Sequence, residues 1–181
     1  MISKTMAEAM NEQINAELYS SYLYLAMAAW AQDQNLPGIA HWLLMQTEEE
    51  RLHGVKIFHF LLERGHRPVL KPIATGNLDW KSTKEVFEEI LKHERHVTSL
   101  INKLVDLAIK ESDHATNNFL QWYVAEQVEE EASAEAVLRQ LTLMEGAPGG
   151  MFLIDRELAT RAFAAALVPM LPGGASFGKS A

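Results

Sequence analysis

Four acidic residues, Glu17, Glu50, Glu94 and Glu130, stand in this sequence where a helical core would ordinarily carry leucine. Glu17 shares a stripe at steps of three and four with Met10, Ile14, Ser21, Tyr24 and Ala28. Glu50 and His53 share one with Ile39, Leu43, Gln46, Ile57 and Phe60. Glu94 sits among Phe87, Ile90, Val97, Ile101 and Leu104, and Gln127 with Glu130 among Leu120, Tyr123, Ala134, Val137 and Leu141. A carboxylate buried alone is costly, so each must be neutralised, paired or bound to a cation. Glu50-x-x-His53 puts two ligand types on one helical face. Carboxylate oxygens with a single imidazole suit iron or manganese better than copper, and two neighbouring ions could each give one electron to dioxygen. Glu50 is the natural bridge, Glu17 and His53 would hold one ion, and Glu94 and Glu130 the other. Gln127 lies beside them as a hydrogen-bonding group.

For these groups to meet, the helices that carry them must be in register. Proline and glycine are absent from Ser3 to Gln34, and Ile39 to Arg64 is interrupted only by Gly54. A third free stretch runs from Asn77 to Glu145 and splits near Glu111-Ser112, with Ser82-x-x-Glu85 as a capping box and Asp113 as a second N-cap. With a constant rise per residue, Glu17, Glu50 and His53 lie at one level of a hairpin that turns near Leu36. Glu94, Gln127 and Glu130 do the same in a hairpin that turns near Ser112. The two hairpins match at a constant offset: Glu17 with Glu94, Leu43 with Leu120, Glu49 with Glu126, Glu50 with Gln127, His53 with Glu130. The pattern is that of a duplicated helical hairpin.

The expected fold is therefore all-α: a four-helix bundle over about residues 3–145. The segment from Gly65 to Lys81, with Pro68, Pro72 and Gly76, is long enough to cross the full bundle between helices 2 and 3. Val69, Leu70 and Ile73 would pack against the bundle on the way. A short fifth helix is expected over 151–167, then a Gly/Pro-containing tail over 168–181, all within one domain spanning 1–181. A length of 181 residues suits one domain, and 48% hydrophobic residues excludes a mostly disordered chain. The absence of cysteine excludes disulfides, thiolate metal sites and iron–sulfur clusters. A net charge of −8 argues against nucleic acid as a partner. No signal peptide or membrane span is legible, so the expected location is cytoplasmic, with no membrane partner.

At these residues the chain resembles the ferritin superfamily, and most closely the bacterial non-haem ferritins, over about residues 1–166. The text Asn15-Ala16-Glu17-Leu18-Tyr19-Ser20-Ser21-Tyr22-Leu23-Tyr24 is similar to the family's first helix, Glu48-Glu49-Glu50-Arg51-Leu52-His53 to its second, and Glu126-Gln127-Val128-Glu129-Glu130-Glu131 to its fourth. The resemblance implies a first iron site at Glu17, Glu50 and His53. It implies a second at Glu50, Glu94 and Glu130, with Gln127 adjacent and Tyr24 close by. Glu49, Glu126, Glu129 and Glu130 match a third iron site of the non-haem branch. The family further implies a homo-oligomeric shell of 24 subunits that oxidises ferrous iron with dioxygen and stores ferric mineral. Bacterioferritins carry a second Glu-x-x-His, where this chain has Glu130, and a haem-binding Met, where it has Arg51. Haem is therefore not expected.

The plainer readings are a buried polar network for the central layer and surface charge for Glu49, Glu126 and Glu129. Five groups at one level with repeat symmetry weigh against the first. Tyr24 fits a structural hydroxyl bonded to a ligand as well as a redox role. His41, His59, His66, His93, His96 and His114 read as surface residues, and the four tryptophans as packing. The alternative function is a di-iron oxidase or oxygenase acting on an organic substrate without a shell, which would need an apolar pocket beside the metals.

Overall fold

The computed structural model describes residues 2–163. It contains α1 (Lys4–Asp33), α2 (Pro37–Glu63), α3 (Thr83–Lys110), α4 (His114–Leu143) and α5 (Gly150–Leu158), and no strand among the described residues. Three helix starts are capped as their sequences require. The Ser3 hydroxyl accepts from the Met6 N–H, Ser82 from Glu85, and the Asp113 carboxylate from Thr116. Such a cap is worth about 1 kcal/mol. Glu85 completes its motif one residue early, accepting from the Lys81 N–H at 2.7 Å.

The repeat offset is visible in the backbone. α1 ends at Asp33 and α3 at Lys110; α2 begins at Pro37 and α4 at His114. Asn35 and Ser112, at the same offset, both take positive φ, 59° and 56°. The closing bonds correspond as well: Leu36 N–H to Ala31 O at 3.0 Å, Asp113 N–H to Ala108 O at 2.9 Å. Each turn thus ends its helix with a left-handed residue that lets the chain fold back and satisfies a terminal carbonyl.

Two apolar cores lie on either side of the polar level. One joins the second half of α1 and first turns of α2 to the start of α3, the end of α4 and α5, through Tyr24, Met27, Leu43, Phe87, Val137 and Ile154. The other joins the start of α1 to the end of α2 and the middle of the second hairpin, through Met10, Ile14, Ile57, Ile101, Leu120 and Tyr123. The end of α2 and the start of α3 therefore belong to opposite ends of the bundle, and the crossover spans its length.

The crossover does not use its apolar side chains for this. Val69 and Leu70 are 58% and 62% exposed, and Ile73 is exposed too, contrary to the expectation from their hydropathy. Polar groups of α1 hold the crossover backbone instead. The Asn11 amide donates to Val69 O and accepts from Val69 N–H, Asn15 donates to Lys71 O and Pro72 O, and Glu12 pairs with Lys71. Pairing the backbone with α1 leaves these side chains turned outward.

α5 is shorter than the expected 151–167. It ends at Leu158 because Thr160 Oγ1 donates back to Glu157 O at 2.7 Å and the chain then turns toward α2. Residues 164–167 and the expected tail 168–181 lie outside the described residues. α2 lacks a side-chain cap of its own at Leu36, and α5 supplies one. Asp155 Oδ1 accepts from Gly38 N–H at 2.8 Å and Ile39 N–H at 2.9 Å. The negative charge also suits the helix N-terminus. A Cβ on Gly38 would lie 1.7 Å from Asp155 O, so only glycine permits this contact.

Candidate metal centre

Between the two cores, Glu17, Gln46, Glu49, Glu50, His53, Glu94, Gln127 and Glu130 are all buried. They come from all four long helices, at the level that equal rise from the two turns requires. α1 and α2 lie close here: a Cβ on Gly54 would rest in ordinary contact with the Glu17 Cβ at 3.4 Å.

Two groups of ligand atoms form within this layer. Glu17, Glu50 and His53 each offer an atom within 4.8 Å of the others, and so do His53, Glu126 and Glu130. The first group has the composition expected for the first ion. The second differs from expectation: His53 and Glu126 join Glu130, while Glu94 is in neither group. The reason is local bonding. The Tyr24 hydroxyl donates to Glu94 Oε1, and Gln127 Nε2 donates to Glu94 Oε2 at 3.2 Å, so both oxygens of Glu94 are engaged. Gln127 thereby contacts Glu94 directly. Glu129 is exposed and also in neither group, whereas Glu49 is buried and Glu126 half-buried.

The other members are only partly satisfied. Gln13 Nε2 donates to Glu17 Oε1 at 2.9 Å, and Gln46 Nε2 to Glu130 Oε2 at 2.8 Å. His53 Nδ1 lies 3.5 Å from Glu50 Oε2, and its Nε2 3.8 Å from Glu126 Oε1. Glu17 Oε2, Glu50 Oε1 and His53 Nε2 remain buried without a hydrogen-bond partner. Buried polar atoms are almost always satisfied, so three unpartnered atoms on the three residues of one ligand group mark it as suited to a cation, with His53 Nδ1 on the Glu50 side and Nε2 on the Glu126 side. Two carboxylate oxygens and an imidazole nitrogen are a donor set that a divalent cation would satisfy.

Electrostatics agree. Burial pushes the Glu17 carboxyl up to about 7, and burial followed by repulsion from Glu94 pushes Glu130 up to about 8. Glu50 is raised well above the carboxylate range by burial and then by Glu94, Glu17 and Glu130. Glu94 is raised by burial against the lowering effect of its Tyr24 and Gln127 bonds. Burial, aided by Lys56, lowers His53 to about 3, which keeps the imidazole neutral and its lone pair available. Clustered carboxyls that cannot all ionise together are a site that exchanges protons for a cation.

Several participants were not assigned a role from sequence. Tyr123 donates its hydroxyl to His53 O at 2.7 Å, and Trp122 stands edge-on to the His53 ring at 5.3 Å with Lys56 Nζ 3.0 Å over its own face. Gln46 and Tyr123 were visible on the apolar stripes, and their polarity at core positions was the available signal. Gln13 and Arg161 gave none. His93, read as a surface residue, instead packs between helices, its Nε2 2.8 Å from Ser20 Oγ.

A family profile described as ferritin-like domain matches residues 7–144. The bacterial non-heme ferritin of Staphylococcus aureus is 36% identical over 90% of this chain and 98% of its own length. That of Bacteroides fragilis is 39% identical over 89% of this chain and the whole of its own. An engineered closed form of the Archaeoglobus fulgidus ferritin superposes with a TM-score of 0.89 at 45% identity, covering 91% of this chain and all of that one.

Proposed function

Because the chain belongs to the ferritin family, we propose that it oxidises Fe(II) with dioxygen in the central layer and stores Fe(III) mineral within a 24-subunit shell. The observation that carries the proposal is the set of orphaned ligand atoms on Glu17, Glu50 and His53. Iron is here the substrate. Glu17, Glu50 and His53 take the first ion, and Glu50, Glu94 and Glu130 the second once Glu94 is released from its Tyr24 bond. A pair of ions can deliver electrons to dioxygen in a way that one cannot.

The chain's own residues handle protons and orientation. Carboxyls raised by burial give up protons as cations enter, so entry need not leave net charge in the core. Gln13 and Gln46 hold one oxygen each of Glu17 and Glu130 and leave the other for the ion. Tyr123 and Trp122 fix the His53 backbone and ring. Holding a ligand side chain by a hydrogen bond to that side chain, as Gln13 and Gln46 do, is worth about 10- to 100-fold in metal affinity, whereas Tyr123 acts on the backbone of α2. Glu49, Glu126 and Glu129 supply a carboxylate route away from the centre, and the acidic chain draws cations in.

A cavity of about 430 Å³ between α3 and α4 meets the central layer only at Gln127, so it gives the organic-substrate alternative no room beside Glu50 or His53. The larger cavity, of about 980 Å³, lies among α1, the crossover and α3, and none of the ligand candidates lines it. No helix among the described residues is long and apolar enough to cross a membrane.

The test is a sizing run of purified apo-protein after excess Fe(II) in air, with iron quantified across the elution. Many ions per chain in a particle far larger than one 20.3 kDa chain is the expected result. A small species with about two ions per chain would remove the container and return the organic-substrate reading.

A further inference from the structure

Glu49 of the central layer already has a cation, and the protein supplies it. Arg161 Nη2 lies 2.5 Å from Glu49 Oε2, with both side chains largely withdrawn from solvent. The guanidinium also sits 4.5 Å over the Trp42 ring, and His41 Nε2 donates to Arg161 O at 2.9 Å. Asp155, which caps α2, and Thr160, which closes α5, bring this segment to α2. Arg161 Nη2 donates to Glu49 Oε2 while Nη1 has no hydrogen-bond partner, so the guanidinium is held by one charged hydrogen bond and the ring contact rather than by a completed fork.

The position of this charge matters because of its neighbours. Glu126 is raised by burial, by Glu129 and by Glu49, and lowered by Lys56 and Arg161. Glu130, a candidate ligand of the central layer, also feels Arg161. Glu49, Glu126 and Glu130 thus share the field of one tethered guanidinium.

We propose that Arg161 holds the place of a third cation at Glu49, so that docking of residues 159–163 and occupancy of a third metal site exclude each other. The inference rests on the iron-handling reading above and assigns its third site a built-in competitor. A tethered cation binds without the translational cost that a free ion bears, which disfavours weak occupancy. A divalent ion reaching Glu49, Glu126 and Glu129 at high supply would expel the guanidinium and release the segment from α2. By linkage, removing Arg161 must strengthen the third site as much as the third ion weakens docking.

The experiment uses assembled, full-length apo-protein and Co(II), a probe that dioxygen does not consume. Anaerobic calorimetric titration is run on wild type, Arg161→Gln, and Arg161→Gln with Glu49→Gln. Wild type should take about two ions per chain tightly and a third weakly, and Arg161→Gln should tighten the third by about 5- to 150-fold. The double variant should lose that gain. In wild type, the third ion should also shift Trp42 emission, and this response should be absent in Arg161→Gln. A third ion of equal affinity in wild type and Arg161→Gln overturns the proposal. Fewer than about two tight ions in both proteins would instead overturn the central-layer reading on which it rests.

Discussion

The α1–α2 and α3–α4 hairpins have one skeleton and bring different chemistry to the same level. Their helix ends, left-handed turn residues and closing hydrogen bonds correspond at a single offset. Yet Glu17, Glu50 and His53 of the first hairpin carry three orphaned atoms, while Glu94 of the second has both oxygens bonded, by Tyr24 and Gln127. Duplication of the backbone sets where the ligands sit. The hydrogen bonds around each ligand set which of them is open to a cation. The first hairpin therefore offers a ready site, and the second offers one that must first be freed.

The hardest test of this asymmetry removes one ligand from each half. Glu50→Ala should slow Fe(II) oxidation by at least about 100-fold, since Glu50 belongs to the open group and bridges toward the other. Glu94→Ala should cost closer to about 10-fold, because its oxygens must first leave other partners. Stopped-flow initial rates on assembled protein read both. Equal losses would show the halves to be equivalent and the asymmetry to be without consequence.

A smaller effect separates the two tyrosines. Tyr24 bonds a candidate ligand carboxylate, whereas Tyr123 bonds the backbone carbonyl of His53. Tyr24→Phe should change the affinity of the second ion by about tenfold. Tyr123→Phe should leave ion affinities nearly unchanged and lower unfolding stability by about 1 kcal/mol, the net worth of one hydrogen bond. Titration with Co(II) and denaturant unfolding distinguish them. An unchanged second ion in Tyr24→Phe would remove the gating role given to that bond.

The pH response follows from the carboxyls. Glu17 and Glu130 have folded-state values raised to about 7 and about 8. The folded state holds their protons more tightly than the unfolded chain. Their contribution to stability is full below the ordinary carboxylate value of 4.5 and is lost as pH rises through 7 to 8. His53, lowered to about 3, works the other way: its contribution is present above 6.5 and is lost as pH falls toward 3. Apo-protein should therefore lose stability across the interval from pH 4.5 to 8, Co(II) should restore it, and Glu130→Gln should flatten the slope. Denaturation midpoints across that interval, with and without Co(II), test this. A slope unaltered in Glu130→Gln would detach Glu130 from the effect.

Most of the architecture was legible because it rests on period and punctuation. Breaker-free stripes marked four helices, and Ser82 and Asp113 marked two starts. The equal distance of Glu17, Glu50 and His53 from a turn predicted a shared level, which the structure shows. What stayed illegible depended on contacts between distant segments. The exposure of Val69 and Leu70 follows from Asn11 holding the crossover backbone, and no local pattern announces such a bond. The early end of α5 goes with the Thr160 bond back to Glu157 O and with the turn that takes Arg161 to Glu49 on α2. The grouping of His53 with Glu126 rather than with Glu94 depends on side-chain partners, which spacing alone does not choose.

The smallest predicted effect returns to the duplicated turns. Asn35 and Ser112 both sit at positive φ, and Gly65 ends α2 at φ +75°. A left-handed residue with a Cβ costs about 1–2 kcal/mol, less for Asn, whose side chain tolerates the region. Glycine removes that strain but loses about 0.5–1 kcal/mol of backbone entropy on folding. Ser112→Gly should thus stabilise by about 0.5 kcal/mol, and Asn35→Gly should be near neutral. Gly65→Ala, which imposes the strain where glycine now avoids it, should destabilise by about 1 kcal/mol, although no atom lies within 4 Å of the added Cβ. Denaturant midpoints of the three variants give the order. If Asn35→Gly gains as much as Ser112→Gly, the two turns are strained alike, and the side chain of Asn35 does nothing to relieve its own.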